Sequence, residues 1–291
     1  MSENKTTINW FPGHMTKALR MMEEEVKKVD VVIYVLDSRA PFSSVNPSFI
    51  NLIKTKSVIY VFNKSDLVEK DELNKFLELF TTENSRCIAL NSRTSGTSKD
   101  IKKTMQDLCK KKIEKNTRKG VFFPLRAMVI GVPNSGKSTL INNLCGQGKT
   151  ITGNRPGVTK GKQWVKIDDY FEIMDTPGTL WPNLENDIVA HNLVYIGSIK
   201  DDILELQEIG FDFIKFIVNK DKTILETRYN IKIEPEEEIL DIFNDICLAR
   251  KFVLRKNDYD YERCAKALLS DFREGKLGKI ILDDYSKIVK N

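Results

Sequence analysis

Two short stretches of this chain place glycine, lysine, hydroxyl and carboxylate residues at fixed, close intervals. The first, Gly131-Val-Pro-Asn-Ser-Gly136-Lys137-Ser138, fits G-x-x-x-x-G-K-[ST]. An apolar run (127–130) precedes it and a helical pattern (138–144) follows it. In that context the N–H groups of Asn134, Ser135, Gly136, Lys137, Ser138 and Thr139 form a cradle for phosphate oxygens. Lys137 is expected at the β- and γ-phosphates and the Ser138 hydroxyl on Mg²⁺. Further on, Asp175-Thr-Pro-Gly178 closes an apolar run. Asp175 is placed to hold Mg²⁺ through water, and the Gly178 N–H to meet the γ-phosphate. Between the two lies Arg155-Pro-Gly-Val-Thr159-Lys-Gly, where Thr159 could give Mg²⁺ a second hydroxyl, with Thr152 as its rival. Loops ordered by a γ-phosphate and released on hydrolysis make a switch.

The second stretch, Asn63-Lys64-Ser65-Asp66, fits N-K-x-D. Guanine offers two adjacent donors, N1–H and its exocyclic amine, and one carboxylate can accept both. Adenine has no such pair. Asp66 is the reader in this scheme. Asn63 can donate to the acceptor edge of the base and tie to the phosphate loop, while the stem of Lys64 lies over the ring. Asn91-Ser92, after another short apolar run, supplies a second base-side loop. These loops belong at the carboxyl ends of strands, where such sheets bind ligands. Along the chain the order is base loop, second base loop, phosphate loop, threonine, D-T-P-G. That is a GTPase order circularly permuted, a change that closely placed domain termini tolerate.

The elements that must hold these loops are legible. Val/Ile-rich runs at 31–36, 58–62, 87–90 and 128–130 read as buried parallel strands, with two more strands at 164–167 and 171–174 around a turn at Asp168-Asp169. Helical patterns at 16–28, 47–54, 70–80 and 99–113 alternate with them, which predicts a doubly wound, mostly parallel α/β sheet. From Ile188 onward the periodicity is helical, as at 239–252 and 261–272, and Gly and Pro become sparse. The fold expected is therefore a circularly permuted P-loop GTPase domain, residues 1–185, followed by a small all-α domain, residues 186–291.

Composition narrows the partners. The net charge of +5 is uneven, with the Lys/Arg excess in residues 1–185 and a mildly acidic remainder. Lys99 to Lys119 is the densest basic segment, and Lys149, Arg155, Lys160, Lys162 and Lys166 form another. Such patches suit RNA, or they are solvated helix faces. Lys111, Arg118, Lys160, Lys162, Arg263, Lys266 and Arg273 are the candidate contacts. Five scattered cysteines with no C-x-x-C pair, and only two histidines, argue against a zinc site or a disulfide framework. No apolar run approaches the roughly 20 residues that span a bilayer. Residues 1–8 are polar with no apolar signal core, so a cytoplasmic protein without membrane contact is expected.

These motifs in this order resemble the YlqF/RbgA family of circularly permuted GTPases, which assist assembly of the large ribosomal subunit. The resemblance extends over nearly the whole chain. It includes Asn9-Trp-Phe-Pro-Gly-His14-Met, Asp37-Ser-Arg-Ala-Pro41 and Leu268-Leu-Ser-Asp-Phe-Arg-Glu-Gly-Lys-Leu-Gly278. It implies GTP/GDP and Mg²⁺ as ligands, a C-terminal domain that binds RNA or the ribosome, and a large-subunit precursor with its rRNA as partner of a monomer. Thr179 and Leu180 follow Gly178, where many GTPases have a Gln that orients the attacking water. The resemblance implies that His14 takes that catalytic role. The residues alone favour a packed or RNA-contacting loop histidine over a catalytic one. Asn134 resembles the potassium-associated Asn of related GTPases and implies K⁺ stimulation. Thr179–Leu184 is expected to act as both switch and linker, so that Gly178 biases the docking of the helical domain. The competing expectations are a nucleotide-gated RNA-binding module, or a translation-related GTPase, with little catalysis of its own.

Overall fold

The structure, a computed structural model, describes residues 13–146, 163–182, 184, 186–201, 205–255 and 258–289. Six strands form one sheet: β1 (Val31–Asp37), β2 (Ser57–Asn63), β3 (Ser85–Leu90), β4 (Leu125–Ile130), β5 (Gln163–Lys166) and β6 (Phe171–Asp175). Their order is β3-β2-β1-β4-β6-β5, parallel throughout except for β5, which runs antiparallel to β6 at the edge. All six expected strands are present.

The alternation of side chains along a strand explains the Val/Ile runs. From β1, Val31, Ile33 and Val35 enter one apolar layer and Val32, Tyr34 and Leu36 the other. The second layer is closed by α1 (Gly13–Glu25), α2 (Ser48–Ile53) and α3 (Lys70–Phe80), through Met22, Phe49 and Phe76. The first is closed by α4 (Ser98–Leu108), through Ile101 and Met105, and by α6 (Lys137–Cys145), through Leu140, Ile141 and Leu144. Between these two helices comes α5 (Lys110–Arg118).

The single helix expected over 99–113 is therefore two helices, broken at Cys109. The reason is packing. Ile101, Met105 and Cys109 are the last apolar side chains that reach the sheet, and α5 beyond them buries no residue.

Where a boundary at 185/186 was expected, the chain divides into two compact units, 1–192 with 281–291, and 193–280. It crosses between them inside α7 (Asp187–Tyr195). The second unit is helical, with α8 (Leu206–Asp221), α9 (Thr223–Tyr229), α10 (Ile239–Ala249) and α11 (Tyr261–Arg273). Gly210 of α8 lets α11 approach, since a Cβ there would lie 2.7 Å from that of Ala265. Asp271 is buried and accepts from Arg228 Nε and Nη2, each at 2.9 Å. The chain then returns to the first unit with α12 (Tyr285–Ile288), where Tyr285 meets the Phe76 ring edge-on at 5.4 Å. No helix among the described residues is long and apolar enough to cross a membrane.

Candidate functional site

The carboxyl ends of β1, β2, β3, β4 and β6 put the two base loops, the phosphate loop and D-T-P-G at one edge of the sheet. In register, Asp37 lies beside Asn63, Asn63 beside Leu90, and Val129 beside Asp175. The distance between motifs along the chain is immaterial, because β1 sits between the strand that ends in N-K-S-D and the strand that opens the phosphate loop.

The phosphate loop is built on two glycines that no other residue replaces. Gly131 has φ +149, and a Cβ there would run into the Val35 carbonyl. Gly136 has φ +99, caps the start of α6, and its missing Cβ leaves room for the Asn63 amide. Lys137 is buried and donates to the carbonyls of Val132, at 2.8 Å, and Gly131, at 3.2 Å. Burial pulls its ammonium pKa down to about 8, opposed by the charge of Asp175. Gly178 closes over this lysine: a Cβ at Gly178 would stand 2.8 Å from both Lys137 Nζ and Pro133 Cα. The Thr176 hydroxyl anchors D-T-P-G by donating to the Val129 carbonyl at 2.6 Å.

The base loops are tied to the phosphate loop by side chains. Asn63 Nδ2 donates to the Ser135 carbonyl at 2.7 Å, and its Oδ1 accepts from both the N–H and the hydroxyl of Ser92, at 2.9 and 2.8 Å. The amide oxygen is thus occupied in joining the two base loops rather than facing a base. Lys64, at φ +59, donates to the Asn134 carbonyl at 2.9 Å. From α6, Asn143 donates to the carbonyls of Ser92 and Thr94. Asn91 Oδ1 accepts from the Arg93 N–H at 2.9 Å, which shapes the second loop. Asp66 follows Lys64 in a short helical turn, with its carboxylate exposed and available to a base.

Beneath the base loop lies an ion cluster that motif matching alone did not assign. Asp37 is fully buried and grips the Arg39 guanidinium with both oxygens, at 2.9 and 2.7 Å. Its Oδ2 also accepts from Lys64 Nζ at 2.7 Å. Burial pushes the Asp37 carboxyl up, but Arg39 and Lys64 outweigh it and hold the group well below the usual carboxylate range. The loop continues to Asn46, whose Nδ2 donates to the Thr179 carbonyl just after Gly178. Ser43 of the same loop meets Asp283 and Asn192, the residues beside the two chain crossings into the second unit. The Arg39 carbonyl accepts from the Leu282 N–H at 2.7 Å. The sequence hint was Asp-Ser-Arg at the end of a seven-residue apolar strand, a place where charge needs a partner.

Thr159 and its rival Thr152 lie outside the described residues, as do Arg155, Lys160 and Lys162. His14 stands in the first turn of α1, ahead of residue 16 where the helical pattern was expected to begin, and its side chain lies outside the described residues. The next residue, Met15, is buried, and its sulfur accepts from the Leu180 N–H at 3.4 Å. The start of α1 is therefore docked on the segment after Gly178. Ser138 and the buried Asp175 offer a hydroxyl and a carboxylate, hard oxygen donors of the kind Mg²⁺ prefers.

The fold and the joined phosphate and base loops define a P-loop GTPase whose sheet is entered in permuted order. Comparison with known proteins agrees. A family model described as "50S ribosome-binding GTPase" matches residues 126–252. The ribosome biogenesis GTPase A of Priestia megaterium is 36% identical over 97% of this chain and 98% of its own. That of Bacillus cereus is 37% identical over 95% and 93%. The crystal structure of GNP-bound YlqF from Thermotoga maritima superposes with a TM-score of 0.64, covering 92% of this chain and 98% of that one at 24% identity. The chain belongs to the ribosome biogenesis GTPase A family, and it is a GTP hydrolase.

Proposed function

We propose that this GTPase assists maturation of the large ribosomal subunit, binding the precursor particle and its rRNA in a nucleotide-dependent way as a cytoplasmic monomer. Family membership supports the partner, since the relatives are named for ribosome biogenesis. The observation that carries the nucleotide reading is the double tie of Asn63 to Ser135 and of Lys64 to Asn134. It makes guanine recognition and phosphate binding one rigid unit. Asp66 reads the guanine, and the N–H groups from Asn134 to Thr139 surround the phosphates. Lys137 leaves its carbonyl partners for the β- and γ-phosphates, and the Gly178 N–H faces the γ-phosphate. Ser138, Asp175 and Thr159 would hold Mg²⁺, which when bound would offset charge that builds on the phosphates. The region within residues 186–291 that folds as a separate helical unit is the RNA- or ribosome-binding domain.

Turnover depends on the particle. Thr179 and Leu180 are both fully buried, so neither takes the place of the water-orienting Gln. The Leu180–Met15 contact favours His14 for that role, since it ties the turn carrying His14 to the segment after Gly178. His14→Ala is expected to lower particle-stimulated hydrolysis while leaving GTP affinity unchanged, and equal loss of both would make the residue structural. Asn134 offers K⁺ a place beside the phosphates, so rates in KCl should exceed those in NaCl at equal ionic strength. The deciding experiment is co-sedimentation with immature and mature large subunits in GTP and GDP. Preference for immature particles in GTP is expected, and equal binding in all four cases would overturn the reading.

A further inference from the structure

The segment from Lys110 to Phe123 breaks the ordinary rules of a protein surface. Helix α5 has nine residues and buries none of them. A short polar helix gains its stability from packing or from paired charges. Here Lys110, Lys111, Lys115, Arg118 and the adjacent Lys119 form no ion pair among the described residues, and only Lys112 pairs, with Asp30 at 2.5 Å. Glu114 is the single acid on the helix. At Gly120, with φ +66, the chain turns back and the Val121 N–H closes on the Asn116 carbonyl. Val121, Phe122 and Phe123 then follow one another with 40%, 61% and 64% of their surfaces exposed. A run of three exposed apolar residues is unusual on a folded surface and marks a contact site.

A third aromatic completes the patch. Tyr170 is 61% exposed and stands edge-on to Phe122, 5.3 Å between ring centres. It is rigidly mounted: its N–H donates to Asp168 Oδ1 at 2.9 Å and its carbonyl accepts from Leu125 N at 2.8 Å. The platform therefore sits at the amino ends of β4 and β6, the opposite edge of the sheet from the nucleotide loops.

We propose that this patch binds an unpaired RNA strand. The five unneutralised cations take successive phosphates, and Phe122, Phe123 and Tyr170 stack on bases. Charge complementarity selects a polyanion. The aromatic rings select one with open π-faces, because duplex RNA keeps its bases stacked inside. A peptide partner would bury such rings in a groove, whereas these rings project into solvent. The inference rests on the ribosome-assembly reading only for the source of the RNA.

The test is binding of a labelled oligoadenylate strand over a salt series, with GDP affinity measured on the same samples as a check on folding. Phe122→Ala/Phe123→Ala is expected to weaken binding about tenfold or more while leaving the salt slope unchanged. Lys111→Ala/Arg118→Ala is expected to weaken it and to flatten the log–log salt slope by about one to two. GDP affinity stays the same in both, since all four side chains are exposed and far from the nucleotide loops. Unchanged strand binding in both double variants would overturn the proposal. So would loss of particle binding with oligoadenylate binding intact, which would make the occupant a protein. If wild type fails to co-sediment with subunits but the variants still lose oligoadenylate, the surface stands and the ribosomal reading falls.

Discussion

Lys64 Nζ donates to Asp37 Oδ2 at 2.7 Å across two neighbouring parallel strands, and to the Asn134 carbonyl of the phosphate loop. The lysine of the guanine motif is thus held from below by a buried carboxylate that Arg39 locks in place. Asp37→Asn would take the bidentate carboxylate away from a nearly inaccessible guanidinium. It should cost roughly 3–5 kcal/mol of stability. By loosening Lys64 it should also speed GDP release about tenfold. Denaturant midpoints and fluorescent-GDP release rates check both.

The same pair sets an acid limit. A carboxyl held below its ordinary value binds its proton more readily in the unfolded chain. Its contribution to stability is present above the ordinary aspartate pKa of about 3.9 and drains away as pH falls below it toward the folded value. Wild type should therefore lose stability on acidification with a steeper slope than Asp37→Asn, by about one proton. Parallel slopes in a pH series of unfolding curves would remove Asp37 from this role.

Lys137 predicts the behaviour at the alkaline end. Burial pulls its pKa down to about 8, so above that pH the ammonium loses the charge that phosphates require. Nucleotide binding should draw a proton onto this lysine between pH 8 and its ordinary value of about 10.4. GDP affinity should fall above pH 8, and calorimetry in buffers of different ionisation heat should register proton uptake. Lys137→Met should abolish that uptake. The empty protein should gain stability over the same range, because there the unfolded chain holds more protons.

Gly136 and Gly178 are positions where one methyl group is decisive. Gly136→Ala meets the Asn63 amide and adds strain at φ +99, so the tie to Ser135 should break. A loss of roughly 1–3 kcal/mol and of measurable GDP binding is expected. At Gly178→Ala the added methyl presses on Lys137 Nζ and Pro133, the latter being backbone that cannot swing aside. Hydrolysis should fall further than GDP affinity, which a comparison of kcat with Kd would read.

Asp66 tests base selection without a stability penalty. Its carboxylate is exposed, so Asp66→Asn should leave the melting temperature unchanged and weaken GDP about ten- to a hundredfold. Competition by ATP, ITP and XTP shows whether guanine preference has eroded.

Local pattern along the chain was enough for the strands, the helices that flank them, the phosphate and guanine motifs, their permuted order and the family. These are short-range patterns: period-two apolar alternation, glycines where only glycine fits, and carboxylates at strand ends. Tertiary structure decided which side chains join them. Asn63 reaches Ser135 across 72 residues, and Asp283 reaches Ser43 across 240. No local pattern encodes such pairings, because they depend on β1 lying between the two loops and on the C-terminal segment returning to the first unit. For the same reason composition flagged the basic stretch before β4, but not that its helix stands unpacked beside three exposed rings. That depends on where Cys109, just past α4, meets the sheet, and the chain beyond it is left without a core to join.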